Sequence, residues 1–267
     1  MHCALWSECV WCIVDASKAN TKFILSDNPV TVYNKGCFPK SHWCKGVNDP
    51  DIWLNGTHTI FPLSLNKALI LTNLSWARNP YGTPTKERPN PRLFDDTFFN
   101  FTAIQTNRFL SDDEVILINY IIKKRCYRYI AASKKEWLYP ENHVNIKKWD
   151  DIGSKYVLMP DPRSMTFTSE IYIGYKNRPP DAYDSYGRKP SDHRFNDKAQ
   201  KDQEWETFHA FQGEYARLFG PKRRGITYEF GGEVLEEKVD SEDFHAYHLS
   251  CEQQFKKKKK RRKKKRN

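Results

Sequence analysis

The chain has 267 residues, of which 39% are hydrophobic and 14% aromatic, which is enough to fill a sizeable core and predicts a globular body. The net charge of +11 does not mark the whole chain as a nucleic-acid binder. Eleven of the 44 Lys and Arg residues form one unbroken run at 256–266, which leaves 33 basic residues against 33 Asp and Glu. No segment approaches the roughly 20 apolar residues of a membrane-spanning helix, and none reads as a secretory leader, so we expect a soluble intracellular protein, cytoplasmic or nuclear, without membrane contact.

The first elements in the chain are extended. Residues 11–14 and 23–25 are rich in β-branched and aromatic side chains and flank the polar turn 17–22, a pattern that predicts a β-hairpin. Pro29 has no amide proton and favours extended geometry in the residue before it, so it interrupts strand pairing. Residues 30–33 resume an extended run.

A second group of strands follows. Asn55 and Gly56 are residues that tolerate positive φ, and they predict a tight hairpin between 52–54 and 57–63. The apolar run 68–72 then predicts a further strand of the same antiparallel meander.

Ser111 begins the clearest helix. Glu114 stands three residues later and completes a capping box, and helical spacing of apolar residues continues to about Ala132. Asn119 interrupts the apolar stretch, so it is either solvated or hydrogen-bonded to a neighbouring element. Residues 156–159 read as a strand.

The C-terminal half is less regular. Residues 171–175 predict one more strand, and the polar segment 178–194 is expected to be mobile. Aromatic residues then recur at three- and four-residue spacing from about Lys198, which predicts an amphipathic helix ended by Gly220 and Pro221.

These elements predict an α+β fold with an antiparallel β meander packed on helices, an irregular C-terminal half and a disordered basic tail. We expect residues 1–162 to form the body. Residues 163–250 would be an extension with one amphipathic helix, packed on the body, and 251–267 the tail.

The tail cannot fold alone because its like charges repel and it has no apolar group to bury. Such a run suits non-specific contact with nucleic-acid phosphates or recognition by an import receptor, and it also fits an incidental low-complexity stretch. Its basic residues are Lys256, Lys257, Lys258, Lys259, Lys260, Arg261, Arg262, Lys263, Lys264, Lys265 and Arg266. No other partner is indicated.

The chain has seven cysteines, an odd number, and no segment reads as a secretory leader, so we expect free thiols. Cys9, Cys12, Cys37 and Cys44, with His42, supply enough ligands for a tetrahedral zinc site. The spacing of Cys37 and Cys44 does not suit a zinc ribbon, and Cys12 begins a predicted strand, where a thiol packs as a small apolar group. We therefore expect neither a metal nor a cofactor.

Three features together resemble the uncharacterised domain-of-unknown-function family 4238: the run Phe-Ile-Leu-Ser-Asp-Asn-Pro-Val at 23–30, Phe-Pro-Leu-Ser at 61–64 with Ala-Leu-Ile-Leu at 68–71, and Asn119 with Arg128 in the later helix. The resemblance covers roughly residues 8–160. It implies mixed α and β character and no established activity. The upstream helical section of the family, with its His-Val-Pro-Gln-like start, has no counterpart here, so we expect an N-terminally shortened member.

The candidate site is a polar pocket formed by Ser26, Asp27, Asn28, Asn119 and Arg128. Asp27 could act as a base or metal ligand, with Asn119 or Arg128 binding an anion. The simpler interpretation is an Asx-type turn that satisfies backbone amides where the strand breaks.

Two functional classes follow from these patterns. The first is an interaction or structural protein, which is favoured because no histidine or second carboxylate completes an acid and base pair. The alternative is an enzyme acting on nucleotides or nucleic acid with its pocket at the Ser-Asp-Asn-Pro turn. No catalytic residue and no ligand is predicted from the sequence.

Overall fold

The computed structural model describes residues 6, 9–44, 49–88, 104–144, 148–165, 170–175, 178–184, 197–227 and 242–265. The protein is an α+β protein. Its described strands are β1 (Cys9–Asp15), β2 (Leu25–Ser26), β3 (Thr31–Asn34), β4 (Thr57–Pro62), β5 (Lys67–Asn73), β6 (Gln105–Phe109), β7 (Ile130–Ala131), β8 (Glu170–Tyr175), β9 (Arg178–Asp184) and β10 (Ile226–Thr227). Its described α-helices are α1 (Leu74–Arg78), α2 (Asp112–Lys124), α3 (Asp151–Ser154), α4 (Lys198–Phe219) and α5 (Glu242–Lys264).

Six strands form one sheet in the order β10-β6-β1-β5-β4-β3. All neighbours pair antiparallel except β1 and β6, which run parallel. The predicted hairpin between residues 11–14 and 23–25 is wrong, because β1 pairs with β5 and β6 while β2 pairs with β7 in a separate ribbon. Residues 11–14 lie in a strand as predicted, whereas of residues 23–25 only Leu25 does, and alternation and turn residues do not determine which distant strand each one joins.

The β4–β5 hairpin is the part of the predicted meander that is confirmed, with Ile60 opposite Ile70. The predicted hairpin around Asn55 and Gly56 is wrong. Leu54 forms a bridge with Glu87 instead of pairing with β4, and the main-chain N–H groups of Asn55 and Gly56 donate to carbonyls of the 84–86 loop at 2.7 and 2.9 Å. The local turn itself is present, since the Thr57 amide donates to the Leu54 carbonyl at 3.0 Å, but the segment before it bonds to the distant loop and not to β4.

Helix α2 packs its apolar face on the sheet. The capping box is confirmed, since the Ser111 side chain accepts from the Glu114 amide and the Glu114 carboxylate accepts from the Ser111 amide. Four fully buried side chains of this helix belong to the main core: Val115, Ile118, Ile121 and Ile122. Cys12 and Val14 of β1 belong to the same core. Burying each of the four helix side chains contributes about 2 to 3 kcal/mol at most to the stability of the fold.

The helix ends at Lys124, not near Ala132. Arg125 takes the C-cap position and is fully buried, with its Nη2 donating to the carbonyl of Cys37 at 2.6 Å. This tertiary contact holds the C-cap in place, and the chain beyond it returns as β7 to pair with β2.

Residues 156–159 do not form the predicted strand. Side chains of the sheet bind the main-chain carbonyls of this segment: Arg108 donates to those of Val157 and Met159 at 2.5 Å each, and the Thr72 hydroxyl donates to that of Leu158 at 3.3 Å. The segment therefore crosses the sheet as an irregular turn in which the backbone polar groups are still satisfied.

The predicted helix from Lys198 is confirmed as α4. Asp197 caps it by accepting from the Gln200 amide at 3.0 Å, and Gly220 follows it with φ of 76°, a conformation that glycine adopts at little cost. Phe211 and Tyr215 of α4 form a second apolar cluster with Trp76, Tyr156 and Met159. The predicted strand at 171–175 is present as β8, and it pairs with β9, in the segment expected to be mobile.

Helices α4 and α5 pack antiparallel, since Arg223 lies near Phe244 while Glu206 pairs with Lys258. They approach closely at Gly213, where an added Cβ would meet the carbonyl of His248 and come within 2.6 Å of the Glu252 Cβ.

The basic tail differs from the expected disorder. Helix α5 starts before the run and continues through it to Lys264, while Arg266 lies outside the described residues. Extending an existing helix is easier than nucleating one, and both Lys and Arg are good helix formers. The N-terminal turns of α5, which pack on α4, therefore nucleate the helix that the basic run could not start by itself.

Candidate functional site

The Ser-Asp-Asn-Pro turn is built by local hydrogen bonds. Ser26 Oγ accepts from the Asn28 amide at 3.2 Å and donates to the Asn28 carbonyl at 3.0 Å. The buried Asn28 side chain donates to Asp49 Oδ1 at 3.1 Å and to the carbonyl of Arg125 at 2.9 Å. Asn28 thus ties the turn to the end of α2.

Asp27 binds the backbone of residues 127–129, which follow α2. Its exposed carboxylate accepts from the main-chain N–H groups of Tyr127, Arg128 and Tyr129 at 2.9, 2.7 and 3.1 Å. Desolvation opposes the effect, but these hydrogen bonds lower the pKa of the Asp27 carboxyl below its ordinary value. Asp27 and Arg128 are therefore in contact through the backbone of Arg128, whose side chain is exposed.

Asn119 also binds main-chain groups, those of residues 22 and 24, just before the Ser-Asp-Asn-Pro turn. It is fully buried on α2, its Oδ1 accepts from the Ile24 amide at 3.1 Å, and its Nδ2 donates to the Lys22 carbonyl at 2.8 Å. Together, the predicted residues attach the 22–28 segment to α2 and the loop after it. Asn119 directs both of its polar atoms at residues 22–24, whereas Asp27 binds residues 127–129.

Arg125 was not predicted as a functional residue. Its guanidinium lies over the Trp149 ring at 5.0 Å, and Nη1 lies 3.5 Å from Cys44 Sγ. Burial chiefly lowers its pKa, against the opposing effects of Cys44 and Asp49. A basic residue in the last turn of a helix normally interacts with the exposed helix end, so the sequence offers no signal for this buried position.

The cysteines of the considered zinc set occupy separate environments. Cys12 is buried in β1 close to Arg108, Cys9 donates to Asn73 Oδ1 at 3.4 Å, and Cys44 contacts Arg125. The six cysteines in the described part of the chain are free thiols. Within the same part, no group of three or more His, Cys, Asp or Glu residues is placed to hold a metal ion.

A cleft that the sequence did not predict opens beside the β3–β4 edge of the sheet. It is small, with a cavity volume of about 20 Å³. Its walls come from β3, β4, α1 and the turn at 152–159. The lining residues are Tyr33, Lys35, Gly56, His58, Trp76, Pro80, Ile152, Gly153, Tyr156, Val157, Leu158 and Met159.

Lys35 supplies a cation in this cleft. Its Nζ lies 4.9 Å from the centre of the Trp76 ring and donates to the Pro80 carbonyl at 3.3 Å. Desolvation lowers the pKa of Lys35, and the more distant carboxylates of Asp150 and Glu214 only partly oppose this effect. The ammonium is thus positioned but incompletely compensated.

His58 supplies a neutral imidazole. Burial lowers its pKa to about 3, and Lys35 and Arg108 act in the same direction. Its Nδ1 lies 2.9 Å from the Thr72 hydroxyl, which also lies 3.3 Å from the Leu158 carbonyl.

The basic end of α5, residues 256–264, is a separate charged surface. All nine Lys and Arg side chains in it are exposed. Two of them reach acidic partners, since Lys256 pairs with Glu252 at 2.5 Å and Lys258 pairs with Glu206 at 2.7 Å. The first pair lies within α5, and the second joins the start of the run to α4.

Across the described ranges, every helix is too short or too polar to cross a membrane. Comparison with curated proteins and with solved structures found no match. Residues 4–136 match the model of the family described as Protein of unknown function (DUF4238). The match includes the Ser-Asp-Asn-Pro turn, the β4–β5 hairpin and α2, and it stops before the 152–159 turn, α4 and α5. The chain belongs to this family of proteins of unknown function.

Proposed function

We propose that the protein is an intracellular interaction protein, located in the cytoplasm or nucleus, that binds nucleic acid without sequence preference through the basic end of α5. In this proposal residues 1–162 are the body, 163–250 an extension packed on it, and 251–267 the binding element. The observation that carries the proposal is the row of nine exposed Lys and Arg residues on one continuous helix.

Electrostatics explains why this row suits a polyanion. At 1.5 Å per residue, residues 256–264 place nine positive charges within roughly 13 Å, whereas duplex DNA carries one phosphate charge per about 1.7 Å of its axis. Like charges four residues apart on a helix repel by about 0.2 to 0.5 kcal/mol for each pair. Phosphates would relieve this repulsion and release condensed counterions, which favours binding at low salt.

The body offers a fixed base for the binding element. Gly213 lets α4 and α5 approach closely, and Glu252 and Glu206 neutralise the two lysines nearest the body. The seven remaining basic residues of 256–264 therefore project from a docked helix. A helical row of charges has less freedom to lose on binding than a disordered tail.

An interaction role is preferred to an enzyme acting on nucleotides or nucleic acid at the Ser-Asp-Asn-Pro turn. Asp27 and Asn119 direct their hydrogen bonds at backbone groups of the protein itself. The free thiols of the described cysteines fit the proposed intracellular location, where thiols are kept reduced.

The test compares the full chain with a variant in which six basic residues of α5 become glutamine. Lys256 and Lys258 are retained because each pairs with a glutamate, Lys256 within α5 and Lys258 with Glu206 of α4. The six changes are Lys257→Gln, Lys259→Gln, Lys260→Gln, Arg261→Gln, Lys263→Gln and Lys264→Gln. A matched control replaces six exposed lysines of the body with glutamine: Lys18, Lys40, Lys67, Lys86, Lys134 and Lys135.

Fluorescence anisotropy with labelled 20-nucleotide single strands and duplexes of unrelated sequence measures the affinity. We expect the wild type and the body control to bind all of them similarly at low salt, and the α5 variant to lose at least tenfold in affinity. If the α5 variant bound these nucleic acids as tightly as the wild type, the proposal would be refuted. If the α5 variant instead lost only binding to an import receptor, the run would be an import signal.

A further inference from the structure

We infer that the nucleic acid bound by the basic end of α5 is single-stranded, and that its bases stack on Trp205 of α4 and Tyr247 of α5 while residues 256–264 bind its phosphates. This inference rests on the proposed function. It adds the class of strand and the residues that select it.

Three aromatic side chains form a row along the α4–α5 pair. The Trp205 ring lies 4.5 Å from the His209 ring, which in turn lies 6.3 Å from the Tyr247 ring, both in edge-to-face geometry. His209 is partly exposed, whereas Trp205 is 45% and Tyr247 53% exposed. A ring that packs against a neighbouring ring and still exposes much of its surface has little freedom to lose when a base stacks on it.

The fold brings this aromatic row to the start of the basic run. Lys258 pairs with Glu206, the residue after Trp205, at 2.7 Å. The two partners are 52 residues apart in sequence, so the packing of α5 on α4 creates the common surface. The ion pair offsets the charge of one carboxylate beside Trp205, and the other, that of Glu204, accepts from the Gln200 side chain at 3.0 Å.

Two lysines extend the positive surface along α4. Lys198 and Lys201 precede Trp205 by seven and four residues, a spacing that places all three on one face of the helix. Lys198 is exposed and Lys201 is partly exposed. Basic and aromatic side chains therefore alternate on this surface, as they do in proteins that bind single strands.

This combination distinguishes single strands from duplexes. The bases of a duplex stack on one another, whereas a single strand can turn the face of a base toward an aromatic ring. Stacking tolerates every base, which agrees with binding that has no sequence preference. Phosphate contacts dominate at low salt, and the affinity for a duplex falls faster with rising salt than the affinity for a single strand. The preference for single strands should therefore emerge at higher salt.

Fluorescence anisotropy on the full chain at 50 and 200 mM salt tests the inference with four labelled ligands. These are a 20-nucleotide oligothymidylate, an oligouridylate of the same length, an abasic strand with the same number of phosphates, and a 20-base-pair duplex. At 200 mM salt we expect the two strands with bases to bind at least about tenfold tighter than the abasic strand and the duplex. The abasic strand isolates the contribution of the bases without any variant of the protein.

Variants assign the stacking residues. Trp205→Leu and Tyr247→Leu should each weaken oligothymidylate binding by about 5- to 150-fold and leave duplex binding unchanged. Trp205→Phe keeps an aromatic face and should restore most of the affinity lost in Trp205→Leu. The matched controls Trp43→Leu and Tyr129→Leu remove exposed rings outside α4 and α5 and should bind every ligand like the wild type.

The outcomes separate this inference from the proposed function. If the abasic strand or the duplex bound as tightly as oligothymidylate at 200 mM salt, the inference would be overturned while binding by α5 would stand. Wild-type affinity of both Trp205→Leu and Tyr247→Leu for oligothymidylate would have the same meaning. If none of the four ligands bound at 50 mM salt, the proposed function would be overturned together with the inference.

Discussion

Replacing Asn119 with alanine should lower the free energy of unfolding by about 2 to 4 kcal/mol. The change leaves the Ile24 amide and the Lys22 carbonyl without the partners they have at 3.1 and 2.8 Å. An unpaired buried polar group costs about 1 to 3 kcal/mol. Ile24 is fully buried, whereas Lys22 is only partly buried, so water can replace part of the second bond.

Urea denaturation measures the global effect, and hydrogen exchange at the Ile24 amide reports the local one. Asn142→Ala is the control, because Asn142 is exposed in a short 3₁₀ segment and should change stability by less than about 0.5 kcal/mol. If Asn119→Ala were as stable as this control, or if the Ile24 amide kept its protection, the attachment of the 22–28 segment through Asn119 would be refuted.

Three further changes test other parts of the fold. Gly213→Ala favours the helix by about 1 kcal/mol but clashes with α5, so a net loss of about 1 to 3 kcal/mol in a thermal melt is expected, and a gain would exclude the close helix crossing. Asp161→Asn leaves Arg163 buried without its anion and should cost about 3 to 5 kcal/mol by denaturant titration, so a loss below about 1 kcal/mol would contradict the burial of this pair. Folding lowers the pKa of His58 from 6.5 to about 3, so the neutral imidazole stabilises the fold fully above pH 6.5. This stabilisation is lost as the pH falls toward 3, and by pH 5 the free energy of unfolding should have dropped by about 2 kcal/mol. His58→Gln should show a correspondingly smaller decline between pH 7.5 and 5, and an equal decline would refute the neutral imidazole.

The sequence predicted features whose causes are local. The capping box at Ser111 and Glu114 and the glycine stop at Gly220 both act within one turn of a helix, and the structure has both. Apolar patterns also predicted β1, β3 and α4 as elements. Each of these depends on neighbours in sequence, which patterns of residues report directly.

Features with non-local causes were missed. Helix α2 ends where Arg125 reaches Cys37, 88 residues earlier in the chain, and residues 156–159 avoid a strand because Arg108 and Thr72 bind their carbonyls. The pairing of strands is also non-local, since β1 pairs with β6 although a long stretch of chain separates them.

The candidate residues illustrate the same limit. Ser26 and Asn28 form a local turn that the sequence offered as the simpler interpretation. Asp27 binds amides 100 residues or more away, and Lys35 and His58 meet in a cleft completed by residues beyond 150. A pattern of residues gives no measure of which distant groups converge.

The salt dependence of nucleic-acid binding by the full chain tests the central proposal most directly. If the seven basic residues of α5 left without acidic partners neutralise about six phosphates of a duplex, the logarithm of the association constant should fall with a slope of about −5 against the logarithm of salt concentration. This corresponds to a loss of about a thousandfold in affinity between 50 and 200 mM salt. A slope near zero, or one shared by the α5 glutamine variant, would contradict the proposal.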